Sequence, residues 1–169
     1  MSVTATTKLP TGRFAVDASH STIEFRVTDT TDLISTIVGH FTDFEGTIEL
    51  AESLEDSRAQ GAIRSSSVDT HNEKRDEHLR SGDFFDALSY PEIRFDSTRI
   101  EQIGENRFRI VGELAIKDFA HEVELETTLV AAGGDRFGDE RIAFESHGTF
   151  EWGPAEVQLT AHVSAIKEA

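Results

Sequence analysis

The segment best equipped for chemistry is His71-Asn72-Glu73-Lys74-Arg75-Asp76-Glu77-His78. It packs two imidazoles, three carboxylates and two cations into a short run. Glu73 and Glu77 are four residues apart and share a face if the segment is helical; His71 and His78 are seven apart, two helical turns. A zinc helix of the HExxH kind needs its histidines at i and i+4, a spacing absent here. Two readings remain. One is a headgroup site, with His71, Arg75, His78, Arg80 and Arg94 as candidates. The other is structural: Arg75 and Asp76 anchor a helix across one end of the fold, and His78 is a buried, satisfied histidine.

A second constellation is Asp17, His20 and Ser21. These residue types suggest nucleophilic catalysis, but a triad is defined by spatial roles and not by spacing. No G-x-S-x-G turn is present. The plainer reading is a polar start to a strand, with side chains bonded to backbone. We expect no catalytic set, no metal and no cofactor.

The elements that would position these residues follow from periodicity. Asn72–Ser81 reads as one short helix, with an Asn72 cap, acids in its first turn and a stop at Gly82. Most of the rest alternates with period two, the pattern of half-buried antiparallel strands. The clearest runs are Thr22–Val27, Arg107–Ile116, Glu122–Val130 and Glu156–Val163. Shorter ones are Phe14–Val16, Gly46–Leu50, Gln60–Ile63, Glu92–Arg99 and Ile142–Phe150. Turn signals separate them at Thr11-Gly12, Gly104-Glu105-Asn106, Lys117-Asp118, Gly133-Gly134-Asp135 and Gly153-Pro154. Thr30–Val38 reads either as a short helix or as a loop and strand. Eight or nine strands at short spacing indicate an all-β sandwich or barrel.

Composition bounds the function. The chain has 169 residues, the size of one domain, read as residues 1–169 with a flexible N-terminal stretch of about 1–12. Sixteen Lys+Arg against 32 Asp+Glu give a formal charge of −16, which repels nucleic-acid phosphates and anionic lipid surfaces. There is no Cys, hence no disulfide or thiolate site. No run is long and apolar enough for a membrane-spanning helix, and no secretory leader is visible. The expected location is cytoplasmic unless a signal was removed. Twelve Phe against one Tyr and one Trp suit a dry surface better than a wet one.

Several separated motifs resemble the YceI-like family, in the right order. Val68-Asp69-Thr70-His71 through Leu79-Arg80-Ser81, continued by Asp83-Phe84-Phe85-Asp86 and Tyr90-Pro91-Glu92-Ile93-Arg94-Phe95, is similar to the family's central signature. Val16-Asp17-Ala18-Ser19-His20-Ser21, Gly39-His40-Phe41, Phe44-Glu45-Gly46 and Gly112 through Phe119 resemble its flanking hairpins. The likeness spans about residues 13–150. It implies an eight-stranded antiparallel, lipocalin-like barrel with one or two short helices, which binds amphiphilic lipids, polyisoprenoids in particular, in an apolar lumen and needs no metal or catalytic cofactor. Asp29 stands where the family often has His, and the Asp29–Gly39 connection is about two residues longer than the family pattern. After Phe150, Glu151-Trp152-Gly153-Pro154 leads straight to Val157, so the structure must decide closure at the last strands.

An eight-stranded barrel can be filled by side chains or hold one slender ligand. We nominate as lumen residues Phe14, Ile23, Phe25, Val27, Phe41, Ile48 and Phe85 from the first half, and Phe95, Leu114, Ile116, Val123, Leu125 and Phe144 from the second. At roughly 25 cal/mol per Å² of apolar surface, a lipid covering several hundred Å² gains on the order of 10 kcal/mol before ordering costs. The expectation is a non-catalytic carrier for an isoprenoid or similar amphiphile, such as a polyprenyl or quinone-like lipid. A neutral head suits the charge better than a pyrophosphate. The alternatives are a small enzyme using His20, His71 or His78 with a carboxylate on a lipid-like substrate, and a ligand-free stress protein. An exposed edge at an imperfect seam would make a homodimer plausible.

Overall fold

The alternating runs become strands that extend past their apolar stretches, because the hydrogen-bonded ladder continues where the alternation fades. The computed structural model describes residues 9–29, 35–152 and 155–169. Its first strands are β1 (Gly12–Val16), β2 (Thr22–Asp29), β3 (Ser35–Phe41), β4 (Phe44–Leu50), β5 (Arg58–Arg64) and β6 (Val68–Asp69). After helix α1 (Glu73–Arg80) come β7 (Glu92–Gly104), β8 (Arg107–Ile116), β9 (Phe119–Gly134), β10 (Glu140–Trp152) and β11 (Ala155–Lys167). Ser35–Phe41 resolves part of the ambiguous segment as strand; residues 30–34 lie outside the described residues. So do residues 1–8 of the expected flexible terminus and the Gly153-Pro154 turn, while Gly12 already belongs to β1.

Three consecutive barrel strands are bent. β1 and β2, separated by a one-turn 3-10 helix at Ala18–His20, both pair with β11: Phe14 opposes Lys167 and Ile23 opposes Ala161. β3 and β4 form the next strand, opposing β2 and β1 respectively. β5 and β6, separated by Ser65–Ser67, form the third, opposing β4 and β3. Counted so, eight strands run up and down in chain order, and the last pairs with the first. The result is a closed eight-stranded antiparallel barrel. Closure removes edges, the usual strategy of such folds.

The short C-terminal route does not prevent closure. β10 and β11 pair from Arg141–Ile166 to Trp152–Ala155, and β11 continues into β1 and β2. The seam edge that would make a homodimer plausible is therefore occupied by backbone pairing. A side-chain cluster also crosses it. Ser21 Oγ donates to the Asp17 and Ser164 carbonyls and accepts from Ser164 N–H. Arg141 donates to Asp17 at 2.9 Å and to Asp135 at 2.6 Å, tying the bend of the first strand to the β9–β10 connection.

The two ends differ. At one, Phe14, Leu50, Ile142 and Ala165 pack into an apolar plug. At the other, α1 lies over the opening. Asn72 Oδ1 caps it by accepting from Arg75 N–H, and Ser81 ends it. The buried Asp76 accepts from Thr70 N–H at 2.9 Å and Thr70 Oγ1 at 2.6 Å, and Arg75 donates to Thr70 Oγ1 and to its carbonyl. The anchoring role read for Arg75 and Asp76 is what the geometry displays.

Candidate functional site

The inward faces of the strands do not meet on the barrel axis. They enclose a cavity of about 1150 Å³, which runs from beneath α1 down to the plugged end. This exceeds the roughly 300–1,000 Å³ usual for ligand pockets. Its wall is mostly hydrocarbon from all eight barrel strands. β11 alone gives Val157, Leu159, Ala161 and Val163, successive members of one alternating face.

The hollow survives its bulky residues because glycines stand beneath some of them. A β-carbon at Gly112 would sit 2.6 Å from Cζ of Phe95, and one at Gly148 would sit 2.6 Å from Cδ2 of Leu125. Gly39, paired across the ladder with Phe25, gives that ring room in the same way. Each large side chain takes the place that a neighbour's side chain would fill, instead of reaching further across the lumen.

Twelve of the nominated lumen residues line the cavity: Ile23, Phe25, Val27, Phe41, Ile48 and Phe85, then Phe95, Leu114, Ile116, Val123, Leu125 and Phe144. Phe14 does not. Its ring points inward but lies below the cavity, fully buried in the plug against Ile142 and Ala165. Strand parity gives the face of a residue and not its height. Sequence reading missed other wall positions, among them Ile37, Ile63, Phe150 and Trp152. Leu159 and Val163 were already legible as one face of β11.

The polar candidates divide. Arg75 and His78 line the mouth with Asn72, Lys74 and Asp83. His71, Arg80 and Arg94 are off the wall. His71 has a left-handed backbone (φ 62°) and an 80% exposed side chain, its ring 5.5 Å from that of His40. Arg80 is two residues from His78, about 200° round the helix, and pairs with Glu73. Arg94 alternates outward between Ile93 and Phe95 and pairs with Glu92 at 2.7 Å. The expected buried His78 is corrected too: its ring is 58% exposed, pairs with Asp83 at 3.0 Å and meets the edge of Phe84. Nor are all Phe rings on a dry surface, since Phe119 and Phe137 stand in solvent.

The Asp17 cluster is not arranged as a relay. Ser21 is committed to backbone groups. The Asp17 carboxylate and the Ser19 hydroxyl both approach the same ring nitrogen of His20, Nδ1, at 2.8 and 3.1 Å. A triad needs them on opposite nitrogens. Hydrogen bonds from Ser19, Arg141 and His20 hold the Asp17 carboxyl far below the usual carboxylate range. Asp135 is also lowered, chiefly by the Arg141 hydrogen bond. These are the properties of a structural clasp. Among the described residues, no group of three His, Asp or Glu is placed to hold a metal ion, and no helix is long and apolar enough to cross a membrane.

The molecule's relatives are consistent in kind. It is 30% identical over 165 residues to a UPF0312 protein of Vibrio campbellii, covering 94% of this chain and 86% of that one. It is 31% identical over 164 residues to Protein YceI of Escherichia coli, covering 90% and 84%. Among solved structures, BcnA of Burkholderia cenocepacia superposes with a TM-score of 0.75 at 22% identity, over 88% of this chain and 98% of that one. A polyisoprenoid binding domain from Saccharophagus degradans superposes with a TM-score of 0.68 at 14% identity, over 92% and 98%. The sequence pattern of the YceI-like domain matches residues 14–165, from within β1 to within β11, and the chain therefore belongs to the YceI-like family.

Proposed function

We propose that this protein is a non-catalytic carrier that sequesters one isoprenoid or similar amphiphilic lipid in its barrel. The observation that carries the reading is the long cavity walled by apolar side chains of every barrel strand. At about 30 Å³ per methylene-sized group, the volume of a liquid water, it accommodates up to roughly 38 carbons, the scale of a polyprenyl chain and far beyond an ordinary fatty acid. The likeness in fold to a polyisoprenoid binding domain supports the choice of ligand class.

The tail lies along the barrel axis and the head sits beneath α1, where Asn72, Lys74, Arg75 and His78 supply the polar side chains of the mouth. Arg75 is already engaged by Thr70, and His78 by Asp83. That leaves little concentrated positive charge for a pyrophosphate, so the head is neutral or weakly polar. A prenyl tail makes no directional bonds, and selection rests on shape and apolar area.

The test is organic extraction of protein purified from its native host, followed by mass spectrometry. A prenyl lipid in roughly stoichiometric amount is expected. Extracts empty of lipid, together with no uptake of added polyprenol, would overturn the reading.

A further inference from the structure

Below the main cavity lies a second void of about 50 Å³. The two are separated by one layer of side chains, since Ile48, Ala59, Ile110 and Phe144 line both. The layer falls at a defined level of the barrel. Ile48 and Ala59 oppose each other across β4 and β5. Phe144 sits where the β9–β10 ladder slips register, between Ala143 and Phe144, and such bulges commonly re-aim a side chain. Beside it, Thr127 and Ser146 oppose each other and share a buried hydrogen bond of 2.8 Å. Ser146 faces the upper cavity and Thr127 the lower void.

We infer that this layer is a chain-length gauge: the Phe144 ring is the floor on which the tail of the bound isoprenoid ends, and it sets how many isoprene units the barrel takes. The inference rests on the carrier reading above and adds the residue that determines specificity within it. A tail entering beneath α1 meets apolar wall until it reaches Phe144. There, among the described residues, it meets a void too small for another unit. One isoprene unit, five carbons, needs about 150 Å³ at the volume of five waters. A cavity of about that size accepts a benzene ring. Deleting the Phe144 ring therefore opens nearly one unit of space, and the void beneath supplies the remainder. Leu50 and Ile142 of the plug line that void. In the opposite sense, a larger side chain at Ala59 raises the floor from the other wall.

The experiment offers the purified protein a mixture of neutral polyprenols of graded length. Bound lipid is extracted from the washed protein and its length distribution read by mass spectrometry. Phe144→Ala is expected to move the preferred length up by one isoprene unit, and Ala59→Leu to move it down by about one. Thermal melts identify variants that remain folded. If Phe144→Ala does not fold, Ala59→Leu alone decides. Wild type and folded variants that retain polyprenols with the same distribution would overturn the gauge and leave the carrier reading standing. A wild-type protein that retains none of the mixture would overturn both.

Discussion

The ring of Phe95 occupies the space above Gly112, its Cζ 2.6 Å and its Cε2 2.7 Å from where a β-carbon would be. The carbonyl of Asp96 stands 2.6 Å from the same point. Because that oxygen is backbone, a methyl group there cannot be accommodated by rotating one side chain. Gly112→Ala should push Phe95 toward the axis and strain the β7–β8 ladder. A loss of about 1–3 kcal/mol in stability, typical of overpacking, is expected. Urea unfolding measures it, and polyprenol uptake should fall in parallel. An unchanged midpoint would show that the ladder absorbs the group.

Phe25 makes the complementary case from the side-chain direction. Its ring already fills the space over Gly39, and the ring of Phe41 lies 5.4 Å away, so the wall has no further room for it. The larger indole of Phe25→Trp has the lumen as its free direction. Uptake of a long polyprenol should weaken roughly tenfold, equivalent to about 1.4 kcal/mol. Stability should change little, because the added group fills empty space. A filled core would respond in the reverse way, with large destabilisation and no ligand effect, so melting and uptake measured together separate the two.

These pairs show what the sequence made legible. Alternation in β8 told which residues face inward, and Gly112 stood out there as a gap in the apolar series. Asn72, the acids after it and Gly82 outline α1 in the sequence. The heights of residues were not legible. Phe14 is in register with Ile48 on one side and with Lys167, more than 150 positions away, on the other, and these long-range pairings set its height in the plug. Long-range register is fixed by the closed hydrogen-bond ring, which no local pattern encodes. That the runs on either side of Ala18–His20, and of Ser65–Ser67, belong to one bent strand was not legible for a similar reason: the partners that join them lie elsewhere in the chain. His78 could be assigned to the helix but not to its wet rim.

Among the anchors of the helix over the mouth is the buried carboxylate of Asp76, which works beside Arg75. Asp76→Ala leaves the Thr70 N–H and hydroxyl without their acceptor, at a cost of about 1–3 kcal/mol. The loss should be local, since α1 contributes little to the barrel ladder. Hydrogen exchange in residues 70–85 should quicken while the strands stay protected, and bound lipid should exchange faster with vesicles. Uniformly faster exchange throughout the barrel would show that Asp76 supports the whole fold and not the cap.

The seam carries its own signature in acid. Asp17 and Asp135 are both held below the ordinary carboxylate range, the first by Ser19, Arg141 and His20 and the second chiefly by Arg141. Each therefore binds its proton more weakly folded than unfolded. That stabilisation is complete above the unfolded value of about 3.9 and is lost as pH falls from there toward the lowered folded values. Arg141→Met removes the cation common to both, so stability at pH 7 should fall. The wild type and the variant should then converge as pH drops below 4, because protonation removes from the wild type what the substitution has already taken from the variant. Urea unfolding at a series of pH values would show this, and two parallel curves would mean that the Arg141 clasp does not couple the seam to these carboxylates.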